Sequence, residues 1–183
     1  SPLARQSLND LRRIEQYVDM VLTYLKLDSG DIDFVIHDQS LDDIIRQAVR
    51  GFAGEFIDRK ITLEYEPTDY IVLSDGKWLS FVIEQVISNA LKYTAEGTIR
   101  IYMEGDVLHI SDTGIGIEAE DIPRIFEKGF TGYNGRKDRR ASGIGLYLCK
   151  RICDDLGHGI SAESEVGRGT TVMIDLSRTQ VGR

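Results

Sequence analysis

A surplus of positive charge is the first thing this sequence lacks. Its 183 residues carry 22 Lys and Arg against 30 Asp and Glu, for a net charge of −8. No basic field is therefore available to hold a nucleic-acid backbone, and any phosphate site must be local, built from backbone amides and a few cations. Long apolar runs are missing too, and none reaches the length needed to span a bilayer. The chain opens Ser-Pro with neither an initiator Met nor a signal-peptide pattern. The expectation is a fragment, with any membrane anchor lying upstream. Cysteine is scarce: Cys149 and Cys153 stand four apart and share a 3-4-3 spacing with Leu146 and Leu156. That places them on the core face of a helix, because a metal site needs more ligands than this, and a reducing compartment is expected.

What is present is ordinary for a soluble globular protein, at 42% hydrophobic and 28% charged residues. The length suits one good-sized domain plus an extra element. No internal repeat or low-complexity tract is visible. Up to about Leu27, Leu11, Ile14, Val18, Val21 and Leu25 recur at steps of 3, 4, 3 and 4. This is the seam of a coiled coil or helical bundle, with a helix folded back on its own domain as the alternative. Asp28-Ser-Gly-Asp31 is a turn and a domain boundary, giving expected units at 1–28 and 32–178.

Beyond the turn, Phe34–His37 reads as a strand, and Ser40 with Asp43 opens a helix with one face at Leu41, Ile44, Ile45, Ala48, Val49, Phe52 and Phe56. Ile61–Glu66 and Ile71–Leu73 read as strands. Asp75 caps a helix whose core positions are Trp78, Val82, Val86 and Ala90. Thr98–Met103 and Val107–Ser111 flank Glu-Gly-Asp as a hairpin. A helix to Leu156, a strand at Ile160–Glu165 and a closing strand at Thr170–Leu176 complete the chain. This mixture predicts an α/β chain of the α+β two-layer type: a mixed sheet of about five strands, helices on one face, and a bundle-forming helix in front.

Three stretches carry chemistry. In DTGIGI (112–117), Asp112 ends a strand and Gly114 and Gly116 allow close approach of something flat. A carboxylate beside such a turn can accept a hydrogen bond from an exocyclic amine. In EQVISNALKYT (84–94), Gln85, Asn89 and Lys92 fall at i, i+4 and i+7 and share one helix face. The Asn89 oxygen suits a hard Mg²⁺ that keeps several waters, Lys92 can meet phosphate as a point charge, and Tyr93 can lie against a base. SGIGLYLCK (142–150) is a second glycine turn opening a helix, where Gly143 and Gly145 free amides for anionic groups. Between the glycine turns lie IFEKGF (125–130) and a polar loop with Lys128, Arg136, Lys137, Arg139 and Arg140.

Taken in chain order, EQVISNALKYT, DTGIGI, IFEKGF and SGIGLYLCK resemble the N, G1, F and G2 boxes of bacterial sensor histidine kinases, members of the ATPase superfamily that includes DNA gyrase and the mismatch-repair ATPases. The resemblance covers about Leu8 to Leu176. It implies ATP and Mg²⁺ as cofactors, with catalytic roles for Asn89 and Lys92 and metal contact from Asn89 and Gln85. It also implies nucleotide contacts from Asn89, Lys92, Tyr93, Asp112, Gly114, Gly116, Ile117, Gly143, Gly145, Leu146 and Thr170. Phe126 and Phe130 would anchor a lid over the triphosphate, and Thr170 would hold a water near Asp112.

Gln85 departs from the pattern. Many sensor kinases have Asn there, and the gyrase-like ATPases have a Glu that activates water. Gln is no general base, so rapid autonomous hydrolysis is not expected, and Glu84 lies ~100° away round the helix. The resemblance makes the first helix half of a dimerisation and phosphotransfer hairpin whose missing partner helix bears the phosphoacceptor His. Neither His37 nor His109, in strand-like runs, nor His158, past a helix terminus, has that context. The implied partners are a second copy, through the hairpin, and a response regulator receiver domain, with no nucleic acid and no direct membrane contact. The implied location is the cytoplasmic side of a membrane sensor. Two other readings stay open: a Ser/Thr protein kinase of the same fold, and a nucleotide-gated dimerisation module.

Overall fold

Contacts divide the chain into two compact units, Ser1–Phe34 and Val35–Arg183. The structure, a computed structural model, describes residues 2–132 and 143–177. Of the expected lid cations, Arg136, Lys137, Arg139 and Arg140 lie outside the described residues.

The first unit is built on one helix, α1 (Pro2–Ser29). Its apolar seam remains on the surface, with Leu11 62%, Ile14 61% and Leu25 55% exposed, and Val21 half-buried. Helices draw most of their stability from burying such a face, so α1 carries an unspent one.

The second unit begins with β1 (His37–Ser40), paired antiparallel to β3 (Ile71–Ser74). The strand expected at Phe34–His37 therefore lies three residues later. Its apolar run suggested a strand, but the ladder is fixed by β3, which sets His37 opposite Ser74 and Ser40 opposite Ile71. Val35 instead donates its amide to Asp75 Oδ2 at 2.9 Å. Ser40 caps α2 (Leu41–Gly51), its Oγ accepting from the Asp43 amide at 3.3 Å. The single helix expected through Phe56 is broken at Phe52, and α3 (Ala53–Asp58) follows. Gly51 and Gly54 weaken the helix there, and the break leaves both Phe52 and Phe56 buried.

β2 (Thr62–Tyr65), β4 (Thr98–Glu104), β5 (Val107–Asp112), β6 (Gly159–Glu165) and β7 (Gly169–Asp175) form one sheet in the order β2-β4-β5-β7-β6. Only β2–β4 is parallel, so the sheet is mixed. Asp75 caps α4 (Gly76–Tyr93), its Oδ1 accepting from the amides of Lys77 and Trp78. Trp78, Val82, Val86 and Ala90 are all buried. α4 packs on α2, on β5 and on α5 (Gly145–Leu156), which also covers β6.

The inner face of α5 is Leu148, Cys149, Ile152, Cys153 and Leu156. Leu146, expected beside the cysteines, is only half-buried. It sits in the first turn, where side chains lean back past the helix N-terminus. Both thiols are free and buried, and burial pushes Cys153 up to about 12, as suits packing groups. On the opposite sheet face Tyr102 stacks on His109 at 4.9 Å, with the Arg100 guanidinium 4.5 Å over Tyr102.

Candidate functional site

Strand register lays three rows of side chains across the helix-covered face of the sheet. Met103–Leu108–Ile174–Ile160 and Ile101–Ile110–Val172–Ala162 are apolar. The third, Ile99–Asp112–Thr170–Ser164, turns polar after its first member, and there the core gives way to a site. A shallow groove of about 360 Å³ lies at this end of the strands, lined by Asp112, Thr170 and Ser164 of this row and by Ser111, Thr171 and Glu163 of the row facing the other way.

Asp112 Oδ1 accepts from the amide of Gly114 at 2.8 Å and from that of Thr170 at 3.3 Å. Oδ2 has no hydrogen-bond partner among the described residues. Burial pushes the carboxyl above the usual carboxylate range, and the two amides offset part of that rise. One oxygen is thus tied down, and the other is left to accept from a donor that the described residues do not supply.

The turn after Asp112 is held on several sides. Ile115 donates its amide to the Tyr93 carbonyl at 3.1 Å and accepts from the Gly167 amide at 2.9 Å. The Ile117 amide donates to Ser164 Oγ at 2.8 Å, and Ser164 Oγ also lies 2.8 Å from Thr170 Oγ1. Gly114 has no room for a side chain: a Cβ there would stand 2.4 Å from the Tyr93 carbonyl oxygen and 2.8 Å from both Asp112 Oδ1 and Thr94 Oγ1. At Gly116 the backbone has φ +75, and a Cβ would meet the Glu165 carbonyl oxygen at 2.2 Å. At both positions the neighbours are the protein's own atoms, so the missing side chain is what lets the turn close against Tyr93, Thr94 and Glu165.

The end of α4 is thereby joined to the turn. Gln85, Asn89 and Lys92 are half-buried on α4, and Lys92 Nζ lies 5.1 Å from the ring centre of Tyr93, its last residue. Among the described residues no group of three His, Cys, Asp or Glu could hold a metal. The amide oxygens of Asn89 and Gln85 fit a hard cation that takes most of its ligands from water and phosphate. Glu84 accepts from Ser80 Oγ at 3.2 Å, and burial raises its carboxyl.

The other expected residues sit on a separate segment. Half-buried Phe126 and Phe130 follow a 3-10 turn (Ile122–Arg124), and the Arg124 guanidinium lies 4.5 Å over the Phe130 ring. The Gly129 amide donates to the Gly143 carbonyl at 2.9 Å, so residues on either side of the expected lid meet there. Gly145 is the first residue of α5, and the N-cap position before it is Ile144, whose side chain has no polar atom to cap with; a helix N-terminus favours an anion.

Sequence reasoning missed three residues. Ser164 joins the polar row only through the β6–β7 register, which no local signal gives. Arg59 caps α4 from 35 residues away, its guanidinium donating to the carbonyls of Leu91 and Thr94. Thr94 was legible as the last residue of the Asn-bearing stretch. It is wholly buried, and its hydroxyl has no hydrogen-bond partner among the described residues.

Residues 74–180 match the family described as histidine kinase-, DNA gyrase B-, and HSP90-like ATPase. The chain is 34% identical over 178 residues to the sensor histidine kinase YxdK of Bacillus subtilis, covering 93% of this chain and 55% of that one. It is 36% identical over 165 residues to the sensor protein BceS of Halalkalibacterium halodurans, covering 87% and 49%. The chain thus spans about half the length of these relatives. Among solved structures, the histidine kinase AdeS of Acinetobacter baumannii superposes with a TM-score of 0.72 at 20% identity, covering 97% of this chain and 86% of that one. That agreement speaks to the fold.

Proposed function

The chain belongs to the histidine kinase-, DNA gyrase B-, and HSP90-like ATPase family, and on that premise we propose that it is the ATP-binding catalytic core of a sensor histidine kinase. The observation that carries this reading is the divided role of Asp112, with Oδ1 held by two backbone amides and Oδ2 open. An adenine amine is the donor that such an oxygen accepts from. Gly114 lets the ring approach, and Tyr93 lies beside it at the end of α4. Ile117 and Leu146 add apolar contact, and Thr170 sits beside the carboxylate it supports.

Phosphoryl transfer asks the protein for positioning and charge neutralisation more than for covalent chemistry. Asn89, with Gln85 one turn earlier, would hold Mg²⁺, whose chemistry there would be to offset phosphate charge. Lys92 adds a cation, and the backbone at Gly143 and at Gly145, where α5 begins, would add amides. Phe126 and Phe130 anchor one end of the lid. Gln85 has no basic oxygen with which to take a proton from water, which favours transfer over hydrolysis.

The acceptor would be a His on a helix that pairs with α1, in a dimer built on residues 1–28, with residues 32–178 as the catalytic domain. From that His the phosphoryl group would pass to a response regulator receiver domain. Among the described residues no helix is long and apolar enough to cross a membrane. The proposed setting is the cytoplasmic part of a membrane sensor, with any anchor elsewhere in the protein.

The test is equilibrium binding of Mg-ATP, followed by labelling with γ-labelled ATP. A separate polypeptide carrying the missing hairpin should acquire acid-labile, alkali-stable phosphate on its His. Label entering a partner's Ser or Thr would favour a Ser/Thr kinase of the same fold. Binding without transfer to any acceptor would favour a nucleotide-gated module.

A further inference from the structure

Thr94 stands at the C-terminus of α4, wholly buried, and its Oγ1 has no hydrogen-bond partner among the described residues. Buried polar side chains nearly always have one, so an exception calls for a physical reason. The backbone around it is committed. The Thr94 carbonyl accepts from the Arg59 guanidinium at 2.7 Å, and the Tyr93 carbonyl accepts from the Ile115 amide at 3.1 Å. Neither can shift to relieve the hydroxyl without losing a bond of its own.

What the hydroxyl faces is Gly114. A point one bond out from the Gly114 Cα lies 2.8 Å from Thr94 Oγ1 and 2.8 Å from Asp112 Oδ1. The hydroxyl and the carboxylate oxygen therefore face the same side of Gly114, at most twice that distance apart, with no side chain between them. The Thr170 bond to the same oxygen is long, at 3.3 Å, and weak at that length.

We infer that Thr94 is a positioning residue for base recognition, its hydroxyl being the donor that Asp112 Oδ1 takes up when a purine amine engages Oδ2. The inference rests on the nucleotide reading above and deepens it. A carboxylate turning toward an outside donor loosens its long bond to the Thr170 amide, and the Thr94 hydroxyl lies on the side of Gly114 from which it can replace that bond. A donor to Oδ1 in a buried setting favours the charged carboxylate, the form that accepts from an amine. Arg59 contributes by holding the Thr94 backbone in place.

The experiment compares wild type, Thr94→Val and Thr94→Ser for binding of ATP and of purine riboside triphosphate, which lacks the amine, with melting measured in the absence of nucleotide. Val keeps the shape and removes only the hydroxyl. Thr94→Val should melt no lower than wild type, since an unpartnered polar group is removed, yet bind ATP about tenfold more weakly, the size of one lost hydrogen bond. Thr94→Ser should restore ATP binding. With purine riboside triphosphate, wild type and Thr94→Val should bind alike. Equal ATP affinity for wild type and Thr94→Val, or an equal loss for both nucleotides, overturns the inference and leaves the nucleotide reading standing. A wild type that binds both nucleotides equally overturns the two together. Should Thr94→Val fold poorly, Thr94→Ala against Thr94→Ser on the same two nucleotides decides the matter.

Discussion

Asp112 and Thr170 are partners across the β5–β7 ladder, and the Thr170 amide donates to Asp112 Oδ1 at 3.3 Å. The pair marks the point where an apolar row of the sheet becomes polar. A carboxylate is held there at a site where burial disfavours its charge, and several consequences follow from that tension.

Asp112→Asn should weaken ATP binding by about 1.5–3 kcal/mol, the range for a hydrogen bond to a charged group. Wild type should prefer ATP to GTP, because guanine presents an acceptor oxygen to Asp112 where adenine presents a donor. Titration of both nucleotides against both proteins checks this. Equal wild-type affinities for ATP and GTP would rule the assignment out.

The same substitution should stabilise the protein at neutral pH. Burial raises the Asp112 carboxyl above its ordinary value of 3.8, so the folded state holds a proton that the unfolded state has released. Stability therefore falls as pH rises from 3.8 through the folded value, and it stays lower above that. Asn has no charge to desolvate and keeps an oxygen for the amides of Gly114 and Thr170. Thermal melts should place Asp112→Asn above wild type at pH 7, with the gap narrowing toward acid.

Asn89→Ala should leave the melting temperature nearly unchanged, because Asn89 is half-buried on a helix face and Ala is the better helix former. ATP binding in the presence of Mg²⁺ should drop toward its value in EDTA, and labelling of the hairpin polypeptide should be lost. A Mg²⁺ dependence identical to wild type would show that position 89 holds no metal.

The seam on α1 should drive self-association. Leu11, Ile14 and Leu25 are each more than half exposed, and an apolar stripe of that size seldom remains open on a monomer. Sedimentation at increasing concentration should show association that disappears when residues before Asp28 are removed. Leu11→Asp with Val18→Asp should act like the truncation. A monomer at high concentration with α1 intact would count against the seam.

Much of this protein is set by local sequence. The caps at Ser40 and Asp75, the 3.6-residue periodicity of α4, the Glu-Gly-Asp hairpin and the alternation in β5 act between residues a few positions apart, so they are legible without a fold. The order of the glycine turns and the Asn-bearing helix likewise pointed to a nucleotide site. Whatever depends on a distant partner was not legible. β1 lies three residues beyond its apolar run because β3 sets the register. Ser164 stands beside Thr170 because β6 pairs with β7 at that offset. Arg59 caps α4 from just past the end of α3. Sequence alone thus named the residues proposed to recognise a nucleotide. Only the tertiary structure decided that one oxygen of Asp112 is tied and the other open, because hydrogen bonds are assigned by distance in space and not along the chain.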